Sequence, residues 1–193
     1  TIGQSAFQGC VSLNNVSIPA SVTSLGSDAF YHCSNLTAID MSEGNLNYSS
    51  IGGVLYNKNA SLLIQCPSAR SGAFEVPGSV TEIGGSAFAM NHGLTAVSMG
   101  AGVTLVGEQS FLDCQNLTEV TLGDGVVTIG QMAFANCISL GSMAIPAAVN
   151  EIGTMAFYGC QSLTNITFLG LRSPEMVGYE WVGGTNPMLL LGH

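Results

Sequence analysis

The sequence predicts a solenoid of stacked short parallel strands with short helical turns on its convex side, and three observations predict it. Phe7, Phe30, Phe88, Phe111, Phe134 and Phe157 are spaced by 23, 58, 23, 23 and 23 residues, so one gap holds a repeat plus an insertion of 35. A glycine stands four residues before each of these phenylalanines, and a leucine six residues after. Two alternating apolar positions then follow, as in Val16/Ile18, Val97/Met99 and Ile166/Phe168. A fixed period of this length marks a repeat architecture, in which one unit cannot bury its apolar face alone and stacked neighbours share a core.

Each part of the unit has a physical reading. Ala-Phe-x-x-Cys has helical spacing, which predicts Phe and Cys on one face of a short helical turn. Leu-x-x-Val-x-Ile ends in period-two alternation, a short strand with one face inward. Pro19, Pro77 and Pro146 end such strands because proline cannot donate to a ladder. The glycine fits a tight turn or a close backbone approach between units. Cys10, Cys33, Cys114, Cys137 and Cys160 share one repeat position, which Asn91 fills in the remaining copy. A shared inward position predicts a ladder of buried free thiols rather than a disulfide framework, with Cys66 standing apart.

The phrase Ile-Gly-x-x-Ala-Phe-x-x-Cys-x-x-Leu-Thr-x-Ile-x-Ile-Pro-x-x-Val closely resembles the BspA-type leucine-rich repeat, over roughly residues 1–170. The resemblance implies a leucine-rich-repeat solenoid. The insertion, at about 43–73, also resembles that family through Tyr48 to Tyr56, Leu62-Leu63-Ile64 and Cys66-Pro67. It reads as a β-hairpin turning at Asn57-Lys58-Asn59-Ala60. Phe74 to Val80 aligns with Val16 to Val22, giving seven stacked strands. Residues 171–193 break the pattern: Met176 to Trp181 echoes the repeat, but Val177 replaces the glycine. That segment reads as a degenerate terminal repeat or cap, or as the start of another segment. The chain opens at Thr1, partway into a repeat, which reads as a piece of a longer protein.

Composition excludes two partner classes. The net charge is −9, and Lys58, Arg70 and Arg172 are the only lysines and arginines. A phosphate backbone needs clustered cations, so no nucleic-acid partner is expected. No apolar run approaches the ~18 residues of a spanning helix, so no membrane insertion is expected from this segment.

Catalytic signals are missing as well. His32, His92 and His193 are scattered, with no nucleophile motif, no Walker or dinucleotide fingerprint and no Cys-x-x-Cys pair. The sequence therefore assigns no catalytic residue, no cofactor and no metal, and the chain is expected not to be an enzyme. Asp40 and Glu75 read as equivalent outward positions on neighbouring rungs, with Glu43 close in sequence; solvated carboxylates are the reading preferred over a site for a hard cation. Asn-x-Ser/Thr sequons begin at Asn15, Asn35, Asn47, Asn59, Asn116 and Asn165, candidate N-glycosylation positions in a secreted eukaryotic setting.

A partner would meet the outward strand face, the extended concave surface of a solenoid. Its two columns are Ser17, Asp40, Glu75, Ser98, Thr121, Ala144, Thr167 and Asn15, Ala38, Ala73, Ala96, Glu119, Ser142, Asn165. The hairpin residues Tyr48, Tyr56 and Lys58 form a second candidate contact. The family resemblance implies an extracellular or cell-surface adhesion module that recognises a protein or glycan without catalysis. The alternative is a building block of a fibre, sheath or matrix, assembled from copies of itself through solenoid ends or faces.

Overall fold

A computed structural model describes residues 1–170, 175–176 and 188–191, and Trp181 lies outside them. The first strands are β1 (Asn15–Ile18) and β2 (Ala38–Met41), followed by β3 (Tyr48–Ile51), β4 (Val54–Asn57) and β5 (Leu62–Gln65). Next come β6 (Gly72–Glu75), β7 (Glu82–Ile83), β8 (Leu94–Ser98), β9 (Leu105–Val106) and β10 (Glu119–Thr121). The chain continues through β11 (Thr128–Ile129), β12 (Ser142–Ile145), β13 (Glu151–Ile152), β14 (Asn165–Phe168), β15 (Glu175–Met176) and β16 (Met188–Leu191).

These strands build a parallel solenoid of seven rungs. One side carries the repeat strands, paired in parallel as β1–β2, β6–β8–β10 and β12–β14–β16. A second side carries the two-residue strands β7, β9, β11, β13 and β15, also parallel and in register. Between the two sides each rung turns through its Gly-x-x-Ala-Phe segment.

That turn is not helical, contrary to the expectation from Ala-Phe-x-x-Cys. Residues two before and two after each phenylalanine have left-handed backbone, as at Gln109 (φ 54°) and Asp113 (φ 58°) around Phe111. Successive N–H groups then alternate in direction. Ser110 and Leu112 donate back three residues, to Gly107 and Gln109, while Gln109, Phe111 and Asp113 donate to Gln131, Ala133 and Ala135 of the next rung. A helix would consume all of these donors internally; here half of them join the rungs. Spacing of three places Phe and Cys on one side in either geometry, which is why the sequence pattern suggested a helix.

The inward faces are dry. Phe88, Phe111, Phe134 and Phe157 are fully buried and stack nearly parallel, with centroids 4.6, 5.1 and 5.4 Å apart. Such pairs add about 0.5–1.5 kcal/mol each beyond area burial. The cysteines are free; Cys33, Cys66, Cys114, Cys137 and Cys160 are buried, whereas Cys10, in the first rung, is exposed. Each repeat thiol donates to the carbonyl of the phenylalanine one rung back: Cys33 to Phe7 (3.0 Å), Cys114 to Phe88 (3.0 Å), Cys137 to Phe111 (3.2 Å) and Cys160 to Phe134 (3.1 Å). Asn91 performs the same task with its amide, donating to Pro67 while its Oδ1 accepts from the Gly93 and Leu94 N–H groups. Asn45 repeats that pattern inside the insertion, spanning Val22, Asn47 and Tyr48.

The insertion is a three-stranded antiparallel meander rather than a single hairpin. The expected turn at 57–60 joins β4 to β5, and a further turn at Gly52-Gly53 joins β3 to β4. Both glycines have positive φ (56° and 77°), the backbone that a two-residue hairpin loop requires. Strand β5 then pairs parallel with β7, so the meander feeds back into the second ladder. It divides the interior in two. Leu55 packs with Phe30, Leu36 and Ile39, while Val54 and Tyr56, facing the other way, join the larger core that runs to Phe168.

Two predictions follow from this packing. A Cβ on Gly130 would lie 2.7 Å from the Glu108 backbone, whereas one on Gly78 would meet nothing within 4 Å. Urea titration should therefore show Gly130→Ala destabilised by about 1–3 kcal/mol or more and Gly78→Ala unchanged or slightly stabilised. Burial pushes the Cys66 and Cys160 thiols up to about 12 and raises Cys114 and Cys137 as well. Their folded-state stabilisation is complete below the ordinary thiol value of 9.0 and is lost as pH rises through about 12. Stability should hold to about pH 9 and fall above it. At pH 8, a thiol reagent should label Cys10 quickly and the buried thiols only after denaturant is added.

Candidate functional site: the strand face and the hairpin junction

Strand pairing sets the outward columns side by side. Asn15 faces Ala38 and Ser17 faces Asp40 across β1–β2. Ala73, Ala96 and Glu119 align across β6, β8 and β10, with Glu75, Ser98 and Thr121 as the parallel row. Ser142 aligns with Asn165, and Ala144 with Thr167. Most of these residues are exposed; Ala38, Ala96, Asn165 and Thr167 are half-buried. Between β6 and β10 the two rows line a shallow groove of about 370 Å³, with Glu75 and Glu119 as its charges.

The face is interrupted after β2. The Ile39 N–H donates to Gly53 at the tip of the meander, and the Gly53 backbone lies against Ala38, so β2 pairs with β1 and β6 with β8 but β2 and β6 do not pair. Asp40 and Glu75 are thus not on hydrogen-bonded neighbouring strands, which corrects the sequence-based placement. The inserted turn occupies the intervening edge. Arg70 fills the break, donating to the Gly52 carbonyl at 3.0 Å with its guanidinium 4.8 Å over the Phe74 ring. Among the described residues no group of three or more His, Cys, Asp or Glu is placed to hold a metal ion. No helix among them is long and apolar enough to cross a membrane.

The hairpin residues divide. Lys58 is exposed, with its ammonium donating to the Asn45 carbonyl. Tyr48 is half-buried, and its hydroxyl accepts the Leu25 N–H at 2.9 Å. Tyr56 is 1% exposed, so it is a core residue rather than a surface contact. Burial pushes its phenol up to about 12, with Cys66 adding to the effect and Arg70 opposing it. The reason lies in β4, which is sandwiched between two cores and has no outward face. Of the sequon asparagines, Asn15, Asn35, Asn47, Asn59 and Asn116 are exposed and Asn165 is half-buried. The Thr37 and Thr118 hydroxyls of two sequons donate to the Asn14 and Thr95 carbonyls of the preceding rung, so Asn-Leu-Thr has a structural task in the repeat.

One feature was not read from the sequence. The third rung, from β5 to β6, passes through Cys66-Pro67 and lacks the phenylalanine turn altogether. A cleft of about 300 Å³ lies in that place, bounded by the turn of the second rung, the meander and Gly85. The signal was present in the gap of 58 residues between Phe30 and Phe88, where one anchor is missing.

Comparison with known proteins accords with this architecture. The family profile for the BspA type leucine rich repeat region matches residues 1–69 and 64–173, with six copies. Among solved structures, the pneumococcal vaccine antigen PcpA is similar at a TM-score of 0.79 and 28% identity, covering 86% of this chain and 42% of PcpA. A leucine rich cell surface protein from Faecalibacterium prausnitzii A2-165 is similar at a TM-score of 0.77 and 30% identity, covering 88% of this chain and 51% of that one. A leucine-rich repeat protein from Eubacterium ventriosum is similar at 0.58 and 29% identity, covering 83% and 37%. The chain thus spans about half or less of these relatives. No curated protein matches the sequence. With the profile matching nearly all of its described length and the rungs stacked as the repeat requires, the chain belongs to the BspA-type leucine-rich-repeat family.

Proposed function

We propose that this chain is a non-catalytic binding module of an extracellular or cell-surface protein, recognising a protein or glycan partner through the outward strand face. The observation that carries this reading is the pair of in-register exposed rows across β6, β8 and β10, a repeated surface of short polar side chains held on a rigid ladder. Side chains such as Ser98, Thr121 and Ser142 lose little conformational freedom on contact, so a broad partner surface can be met at small entropic cost. Glu75 and Glu119 give the groove one sign of charge, which favours a partner with basic or hydroxyl-rich groups. The cell-surface protein and the vaccine antigen to which the chain is similar support a surface location by analogy of family.

The test is binding of the purified chain to immobilised extracellular-matrix proteins and to a glycan array, with light scattering run in parallel. A partner found this way should lose at least about tenfold in affinity when Asp40, Glu75 and Glu119 are all changed to Lys, because like charges then face each other. Undiminished binding by the triple variant would rule out the strand face. Filaments or concentration-dependent growth in the absence of a partner would favour the self-assembling building block instead.

A further inference from the structure

The cleft at the third rung is a site of a different kind, and its argument does not depend on the strand-face reading. At four junctions between complete turns, the residues two before, at and two after the phenylalanine donate their N–H groups to the following rung, as Ser5, Phe7 and Gly9 do to Ser27, Ala29 and Tyr31. The equivalent donors in the second rung are Asp28, Phe30 and His32. Their N–H groups meet no backbone acceptor among the described residues, because the third rung has no turn to offer one. Asp28 and Phe30 line the cleft.

The opposite wall has the complementary need. Gln65 is 6% exposed and also lines the cleft. Its amide nitrogen donates to the Cys66 and Ala87 carbonyls, while its Oε1 accepts no hydrogen bond among the described residues. Buried polar groups are almost always paired, so this pocket holds one donor edge and one acceptor awaiting partners. Between them the lining is apolar, from Phe30, Leu55, Leu62 and Ile64. Phe30 stacks on Phe7 at 5.4 Å on one side and on no ring on the other, whereas Phe111 is stacked on both.

We propose that this cleft binds an extended peptide segment of a partner protein through an aromatic side chain and its flanking peptide groups. A peptide carbonyl would accept from Phe30 N–H, a peptide N–H would donate to Gln65 Oε1, and the ring would continue the stack beyond Phe30. The fold itself sets the precedent, since an Ala-Phe segment occupies the corresponding place in the complete turns. At about 300 Å³ the cleft lies at the small end of ligand pockets. That suits a single aromatic residue rather than a folded element. Asp28 is the one charged residue lining it, which disfavours a terminal carboxylate and selects an internal or amino-terminal segment.

The experiment is an NMR titration of the ¹⁵N-labelled chain with N-acetylphenylalanine amide, and separately with N-acetylglycine amide, each to about 10 mM, well past a millimolar Kd. The phenylalanine probe should shift the Asp28 and Phe30 amides and leave Phe111 and Phe134 in place, and the glycine probe should shift neither set. Leu62→Trp, which fills the cleft, should abolish the response. Gln65→Leu, a smaller change that keeps the packing, should weaken binding by about threefold to tenfold. Equal responses to the two probes, shifts that survive in Leu62→Trp, full affinity in Gln65→Leu, or no shift at the highest concentration would each overturn the proposal.

Discussion

The direction of backbone N–H groups in the convex turns governs the rest of this molecule. A turn of eight residues that kept its hydrogen bonds to itself would leave the rungs joined only by their strands. Left-handed backbone on either side of each phenylalanine sends alternate donors along the solenoid axis instead, so a second ladder forms at the turns. The consensus follows from that geometry. Gly107, Gly130 and Gly153 must lack a side chain because the previous rung's backbone approaches within 3 Å of where a Cβ would sit. The small residue before each phenylalanine is buried against the neighbouring turn, and the phenylalanine rings stack because the ladder sets their separation. The Cys or Asn position completes the set by giving the phenylalanine carbonyl of the previous rung, or its counterpart Pro67, a donor.

Where one turn is left out, the consequences are equally local. The meander stands in the gap, splits the interior into two cores and supplies substitutes for some of the lost partners. Tyr48 takes the Leu25 N–H, Gly53 takes that of Ile39, and Cys66 donates to Ala87. The Asp28 and Phe30 donors receive no such substitute. A repeat protein is a sum of rungs and junctions, so an irregular junction can depart from the regular ones without disturbing them. The regular rungs offer a repetitive polar face, and the irregular junction offers a shaped cleft.

The sequence made the rungs legible because repetition fixes phase. Six aligned copies placed the strands, the inward and outward columns and the buried thiol position without any reference to tertiary contacts. The convex turn was misread for a definite reason: Ala-Phe-x-x-Cys puts two side chains on one side whether the backbone is α-helical or built from successive turns. Tyr56 was misplaced because period-two alternation distinguishes inside from outside only for a strand with one wet face, and β4 has none. The Gly52-Gly53 turn was readable from its composition, since adjacent glycines suit a two-residue hairpin loop. The cleft was not, because an absent turn leaves a mark in the spacing but not in any residue.

The most direct test of this account is the detection of scalar couplings across hydrogen bonds by NMR on the deuterated chain. The ladder predicts cross-peaks from the Phe88, Phe111 and Phe134 amide nitrogens to the carbonyl carbons of Ser110, Ala133 and Ala156, one rung onward. It predicts none from Phe30. Couplings from those amides to carbonyls four residues back within the same turn would indicate helical turns and contradict it.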